Sequence, residues 1–233
     1  TGKTPSLKFN STSGVSVGGT DTGNITAKDA YIELGNSSWK NSMATHTWSF
    51  ENCYVSAVSF GNNNAPGSSS ASWNVTFDNS VLAAKNYIKN GKNVTYNFTN
   101  NSRGTTGSLR IDGVLNIDAT SSVVTTSQQN NKVGAVDEHG GINGTVNVAG
   151  NLTIGSNAKT QLEVLGGTVN VVNGATLALG NNTMTLDATS AMQSAGNISG
   201  AITAANGANV AISGGTYTQD VNNWCVEGFM TQQ

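Results

Sequence analysis

Charge is the scarcest ingredient of this chain. Asp, Glu, Lys and Arg make up 10% of 233 residues, 11 basic against 13 acidic, for a formal net charge of −2. Binding of nucleic acid or anionic lipid at large needs a dominant cationic surface, so those partners are excluded by composition. Proline occurs twice, at Pro5 and Pro66. Proline-rich linkers are therefore absent, and few positions are barred from ladder hydrogen bonding. No apolar run approaches the roughly 18 residues of a membrane-spanning helix. The opening, TGKTPSLKF, carries neither an initiator Met nor an apolar leader, as expected of a mature chain or an excised fragment. The only cysteines, Cys53 and Cys225, lie 225 − 53 = 172 residues apart. Wound at about 23 residues and about 4.8 Å per lap, they stand on the order of 35 Å apart, beyond the ~7 Å that a disulfide spans between Cα atoms. Both are expected as buried free thiols.

What fills the chain instead is Asn, Thr, Ser and 28 Gly. Helical periodicity is scarce, whereas short alternating runs abound, among them Val55 to Ser59, Val94 to Phe98, Val146 to Val148, Val169 to Val171 and Val210 to Ile212. Gly, Asn and Asp clusters such as NGKN, VNGA and GNN separate them. Each strand is thus about three to six residues long and ends in a tight corner.

A sandwich, a barrel and a parallel solenoid all satisfy that pattern, and the repeat discriminates among them. SFENCYVSA (49 to 57) aligns with TFDNSVLAA (76 to 84), and YNFTNN (96 to 101) is a shorter third copy. In the C-terminal half GTVNVAGNLTIGSNA (144 to 158) is followed by GGTVNVVNGATLALGNN (166 to 182), where Val169 takes the place of Val146. A sandwich has no reason to repeat one strand and corner at such a period; a solenoid does, because every coil places the same kind of residue at the same corner. Phe50, Phe77 and Phe98 are predicted to stack inside, and Asn52, Asn79 and Asn100 to form a corner ladder of side-chain amides.

Phe, one residue, then Asn leading into an apolar strand, recurring at solenoid-like intervals, resembles the right-handed parallel β-helix of the pectin-lyase-like superfamily. The last segment, ISGGTYTQDVNNWCVEGFM (212 to 230), resembles the ends of β-helical segments in large surface proteins of Gram-positive gut-type bacteria. Val221, Trp224 and Cys225 at i, i+3 and i+4, behind Asp220 and before Gly228, predict one short helical stretch. Trp224 and Phe229 are expected to lie over the last coil as a lid, since an uncovered coil exposes an edge and a core.

The densest polar string is Asp137, Glu138 and His139 in VDEHGGING. Two carboxylates and an imidazole suit a divalent metal or an acid–base pair, but consecutive residues of a strand point to opposite faces, and a solvated Gly-rich turn is the favoured reading. His46 reads as a surface or corner residue. The resemblance also implies an enzymatic comparison, with β-helical polysaccharide lyases and glycoside hydrolases, which combine acids with an Arg or Lys base. Arg110 and Asp112 share a strand face by parity, with Asp118 and Arg103 nearby, yet alternating exposed charges explain them equally well. No catalytic residue, metal ligand or cofactor is assigned. Trp48 and Trp73 are read as packed inside, while Trp39 and Tyr87 are the candidates for stacking on sugar rings. The basic residues Lys85, Lys89 and Lys92 around Tyr87 read as a solvated loop. The sequons are discounted, because stacked corner asparagines are poor glycan acceptors.

The expectation is therefore one all-β domain over 1–233, a right-handed parallel β-helix of nine or ten coils. It comprises a Phe-x-Asn half (1–105), Gly/Asn-cornered coils (106–217) and a C-terminal helical cap (218–233). Its expected function is that of a secreted or surface-displayed bacterial adhesin or stalk segment that binds glycans or host surface proteins without catalysis. Polysaccharide lysis or glycoside hydrolysis is the alternative.

Overall fold

A computed structural model describes residues 6–8, 15–17, 24–39, 45–61, 72–126, 131–134, 144–155 and 162–229. Every strand pair in it is parallel, and the strands wind into a solenoid. One wall is a nine-stranded sheet that runs from Ile25–Lys28 through His46–Glu51, Trp73–Asp78, Val94–Thr99, Val114–Ile117, Thr145–Val148, Thr168–Val171 and Ala191–Ser194 to Asn209–Ile212. The remaining twelve strands form a second sheet that is bent along its length. Long strands such as Val81–Asn90, Arg103–Ile111 and Thr176–Leu186 pass through the bend, with register shifts at Thr106/Ser108 and Ala178/Thr183. In the laps between, separate strands stand on either side of it, Ser122–Thr125 and Asn131–Gly134, then Asn151–Thr153 and Leu162–Leu165. The cross-section therefore has three walls. Gly107 sits in the bend because a Cβ there would lie 2.4 Å from the Asn86 carbonyl oxygen.

The first wall takes one strand from each lap, nine in all among the described residues.

Alternation inside the first wall fixes the core. His46–Glu51, Trp73–Asp78 and Val94–Thr99 turn every second side chain inward. Phe50, Phe77 and Phe98 stack in one column, with ring centroids 5.2 and 5.0 Å apart and interplanar angles of 10° and 21°. Ile117, Val148 and Val171 continue the column in register. Trp48 and Trp73 are buried as expected, but so is His46, whose ring lies 4.0 Å from that of Trp73. The surface reading of His46 is corrected by parity, since residues 46, 48 and 50 share the inward face.

Where this wall ends, Asp29, Asn52, Asn79 and Asn100 adopt φ of 54°, 54°, 44° and 54°. Left-handed backbone costs most L-residues about 1–2 kcal/mol but suits Asn and Asp. The Asn52 amide donates to Asp29 (3.0 Å) and the Asn79 amide to Asn52 (2.7 Å), so a corner ladder exists. Asn100 leaves it. Its amide donates to Asp78 Oδ1 instead, because a second left-handed residue, Asn101, widens that corner.

At the C-terminal end the helical expectation shrinks to a three-residue 3-10 turn, Asn222–Trp224. Val221 is buried, Trp224 and Cys225 pack against the core while half-buried, and Phe229 is 48% exposed. Phe229 is therefore not a lid, and Cys225, though a free thiol like Cys53, is not fully buried. The exposed sheet edge is closed by side chains. Thr218 Oγ1 accepts from Gly200 N and donates to Gly200 O, and the Gln219 amide pairs in the same way with Ile202 N and O. Two side chains thereby stand in for the missing neighbour strand.

Candidate binding surface

The outward positions of the first wall carry a second amide ladder, which the strand-and-corner repeat alone does not announce. The side-chain amides of Asn97, Asn116, Asn147 and Asn170 donate in turn to Asn74, Asn97, Asn116 and Asn147, at 2.7, 2.8, 2.8 and 2.7 Å. The available signal is the Val-Asn-Val shared by 146–148 and 169–171. The inner members, Asn97, Asn116 and Asn147, each donate to one neighbour and accept from the next, which uses one donor and one lone pair of each amide. Threonines 95, 145 and 168 stand two residues before the laddered asparagines.

At the start of two neighbouring strands of the second sheet, Tyr31 and Tyr54 are in register and stacked, with centroids 5.3 Å apart and planes 1° from parallel. They are 39% and 42% exposed, and the Tyr31 hydroxyl donates to Glu33 Oε1 at 3.1 Å. Beyond the bend lies Tyr87, half-buried, with Arg110 Cζ 4.5 Å and Lys89 Nζ 5.2 Å from its ring centroid. Trp39 closes the strand Tyr31–Trp39, its backbone paired with Val17, and its side chain lies outside the described residues. The string Asp137, Glu138 and His139 lies outside the described residues altogether.

Asp112 and Asp118, the acids of the lysis or hydrolysis alternative, lie at corners of the solenoid. Asp112 is 7% exposed at a corner, where its backbone N–H donates to Asn90. Asp118 accepts from the backbone N–H groups of Asn100 and Thr120 and from the Thr120 hydroxyl. Asp187 repeats the arrangement with Gly166, Thr189 and Ser190, in a matching Asp-Ala-Thr-Ser tetrapeptide. For both, desolvation works against ionisation, but the hydrogen bonds outweigh it and hold the carboxyl below its ordinary value. They are corner braces that tie one lap to the previous one. Lys28 and Glu51 form an exposed ion pair at 2.6 Å, and Glu51 raises the Lys28 pKa through that contact. Among the described residues no three His, Cys, Asp or Glu side chains converge on a point that could hold a metal ion. No helix among the described residues is long and apolar enough to cross a membrane. Compared with family models, curated proteins and solved structures, the chain has no match.

Proposed function

We propose that this chain is a secreted or cell-surface bacterial module of the pectin-lyase-like β-helix type, an adhesin or stalk segment that holds glycans or host surface proteins without making or breaking bonds. The observation that carries this reading is the stacked, exposed Tyr31–Tyr54 pair on the flank of a rigid prism. Aromatic rings held at such a site offer apolar faces and hydroxyl tips at low entropic cost, as sugar and protein recognition both require. The Asn and Thr rows of the neighbouring wall add a regular array of amide and hydroxyl groups. Three walls and corner amide ladders agree with the pectin-lyase-like type.

A glycan and mucin array probed with the whole chain tests the proposal. Binding that falls when Tyr31 and Tyr54 are replaced by Ala supports it. A rise in reducing ends or unsaturated product from any polysaccharide incubated with the chain would overturn the non-catalytic part.

A further inference from the structure

Before its bend, the second sheet carries a notch in its outward face. Tyr31, Tyr54, Val81 and Arg103 occupy one register column on successive laps. Tyr31 covers one face of the Tyr54 ring, and because the two planes are parallel to within 1°, the other face is turned toward the lap of Val81. Val81 is short and half-buried, as is Ala83, the next outward residue of the same strand. Arg103, one lap further, is exposed, and among the described residues no acid pairs with its guanidinium. An aromatic wall, an apolar floor and a cationic wall therefore follow one another along the axis. Glu33, an acid on the same face, lies beyond the tyrosine pair, two laps before Ala83, where it accepts from the Tyr31 hydroxyl.

The width of the notch selects what fits it. Two laps separate Tyr54 from Arg103, about 9.6 Å. A saturated ring in contact with Tyr54 takes about 4 Å of that width. A charged hydrogen bond to the guanidinium takes about 2.8 Å more. What remains is the height of one substituent, so the acceptor has to stand out of the ring face that is turned away from the tyrosine. An acceptor in the plane of the ring leaves the gap open.

We infer that the notch between Tyr54 and Arg103 binds a pyranose that bears an axial carboxylate, the arrangement found in α-linked sialic acids. This rests on the glycan-binding reading above and names its chemical class. One face of the sugar lies on Tyr54 through its C–H groups, and Val81 and Ala83 meet its edge. The carboxylate on the opposite face accepts a bidentate pair from Arg103. A uronic acid holds its carboxylate equatorial, close to the ring plane, and so does not reach across the laps. A neutral sugar leaves the guanidinium unmatched.

The test is direct binding of the whole chain to polymer-coupled α-sialyllactose, its methyl ester, lactose and a β-glucuronide. Sialyllactose is expected to bind, and each of the others about tenfold or more weakly, the loss of one charged hydrogen bond. Arg103→Gln should weaken sialyllactose binding by the same factor, and Arg103→Lys should recover part of it. Val81→Tyr fills the notch with a ring while Tyr54 and Arg103 stay in place, and should remove the preference for sialyllactose over lactose. Lys85, exposed on the same strand, stands about 13 Å from Val81. That exceeds the Debye length at physiological salt, so Lys85→Gln removes an equal charge and should change binding less than about twofold. Should Arg103→Gln fail to fold by circular dichroism, the methyl ester decides on the unaltered chain. Equal affinity for the ester or the glucuronide, an equal effect of Lys85→Gln, or no binding of sialyllactose would overturn the inference. In that last case, other glycans still bound on the array through Tyr31 and Tyr54 leave the broader proposal standing, and none bound removes both.

Discussion

Replacing Phe77 by alanine probes the feature on which the winding depends. The ring is 0% exposed and sits between Phe50 and Phe98, with Phe60 edge-on at 5.5 Å. Loss of a buried Phe costs about 3–5 kcal/mol when the cavity cannot collapse. Collapse is hindered here, because backbone ladders hold the laps above and below at fixed spacing. For a chain of this size that corresponds to a fall in melting temperature of roughly 6–20 °C. Solenoid stability is a sum over laps and their interfaces, so the loss should also be local. Amide hydrogen exchange should rise first in His46–Glu51, Trp73–Asp78 and Val94–Thr99. Phe229→Ala serves as control, since a ring 48% exposed at the terminus should cost within about 0.5 kcal/mol. A Phe77→Ala loss below about 1 kcal/mol in urea titration, or exchange raised evenly along the chain, would refute the stacked column.

Asn147→Ala breaks two ladder bonds, to Asn116 and from Asn170, and should lower stability by about 1–2 kcal/mol in the same titration. Asn116→Asp should cost at least as much, because a carboxylate has no proton to give to Asn97 and meets its carbonyl oxygen instead. Asp118 and Asp187 have folded pKa values below the unfolded value. The stability they contribute is therefore complete above about pH 4 and is lost as the pH falls through their folded values. Asp187→Asn should flatten the acid limb of a melting-temperature curve between about pH 5 and pH 2, as read by scanning calorimetry. Gln219→Leu leaves the N–H and C=O of Ile202 without their side-chain partners at a sheet edge. Concentration-dependent association in light scattering should follow, and an unchanged monomer would count against the capping role.

Much of the winding is legible because it is written in period two and in repeated corners. The Phe column and the Asn52–Asn79 contact follow from one alignment of two strand-and-corner segments. His46 shows where residue type misleads: a lone imidazole reads as a surface group, although its parity with Trp48 and Phe50 places it inside. Asn100 fits the ladder by spacing, and spacing alone does not reveal that Asn101 also turns left-handed and moves the amide by a residue. The terminal helix fails for another reason: i, i+3, i+4 spacing suits one 3-10 turn as well as an α-helix, and three residues leave no room for a second turn. Exposed surfaces are the least legible. Tyr31 and Tyr54 belong to different laps and come together only through register.

The most direct test of in-register parallel winding is a pair of engineered cysteines on the outer face of the first wall, with Cys53 and Cys225 replaced by serine. Thr145 and Thr168 are register partners, so their Cα atoms stand about 4.8 Å apart, inside the disulfide range. Thr145→Cys with Thr168→Cys should crosslink within one chain under mild oxidation, whereas Thr145→Cys with Asn170→Cys, displaced by two residues to roughly 8 Å, should not. Crosslinking of the displaced pair in preference to the matched one would contradict the register, and with it the surfaces built upon it.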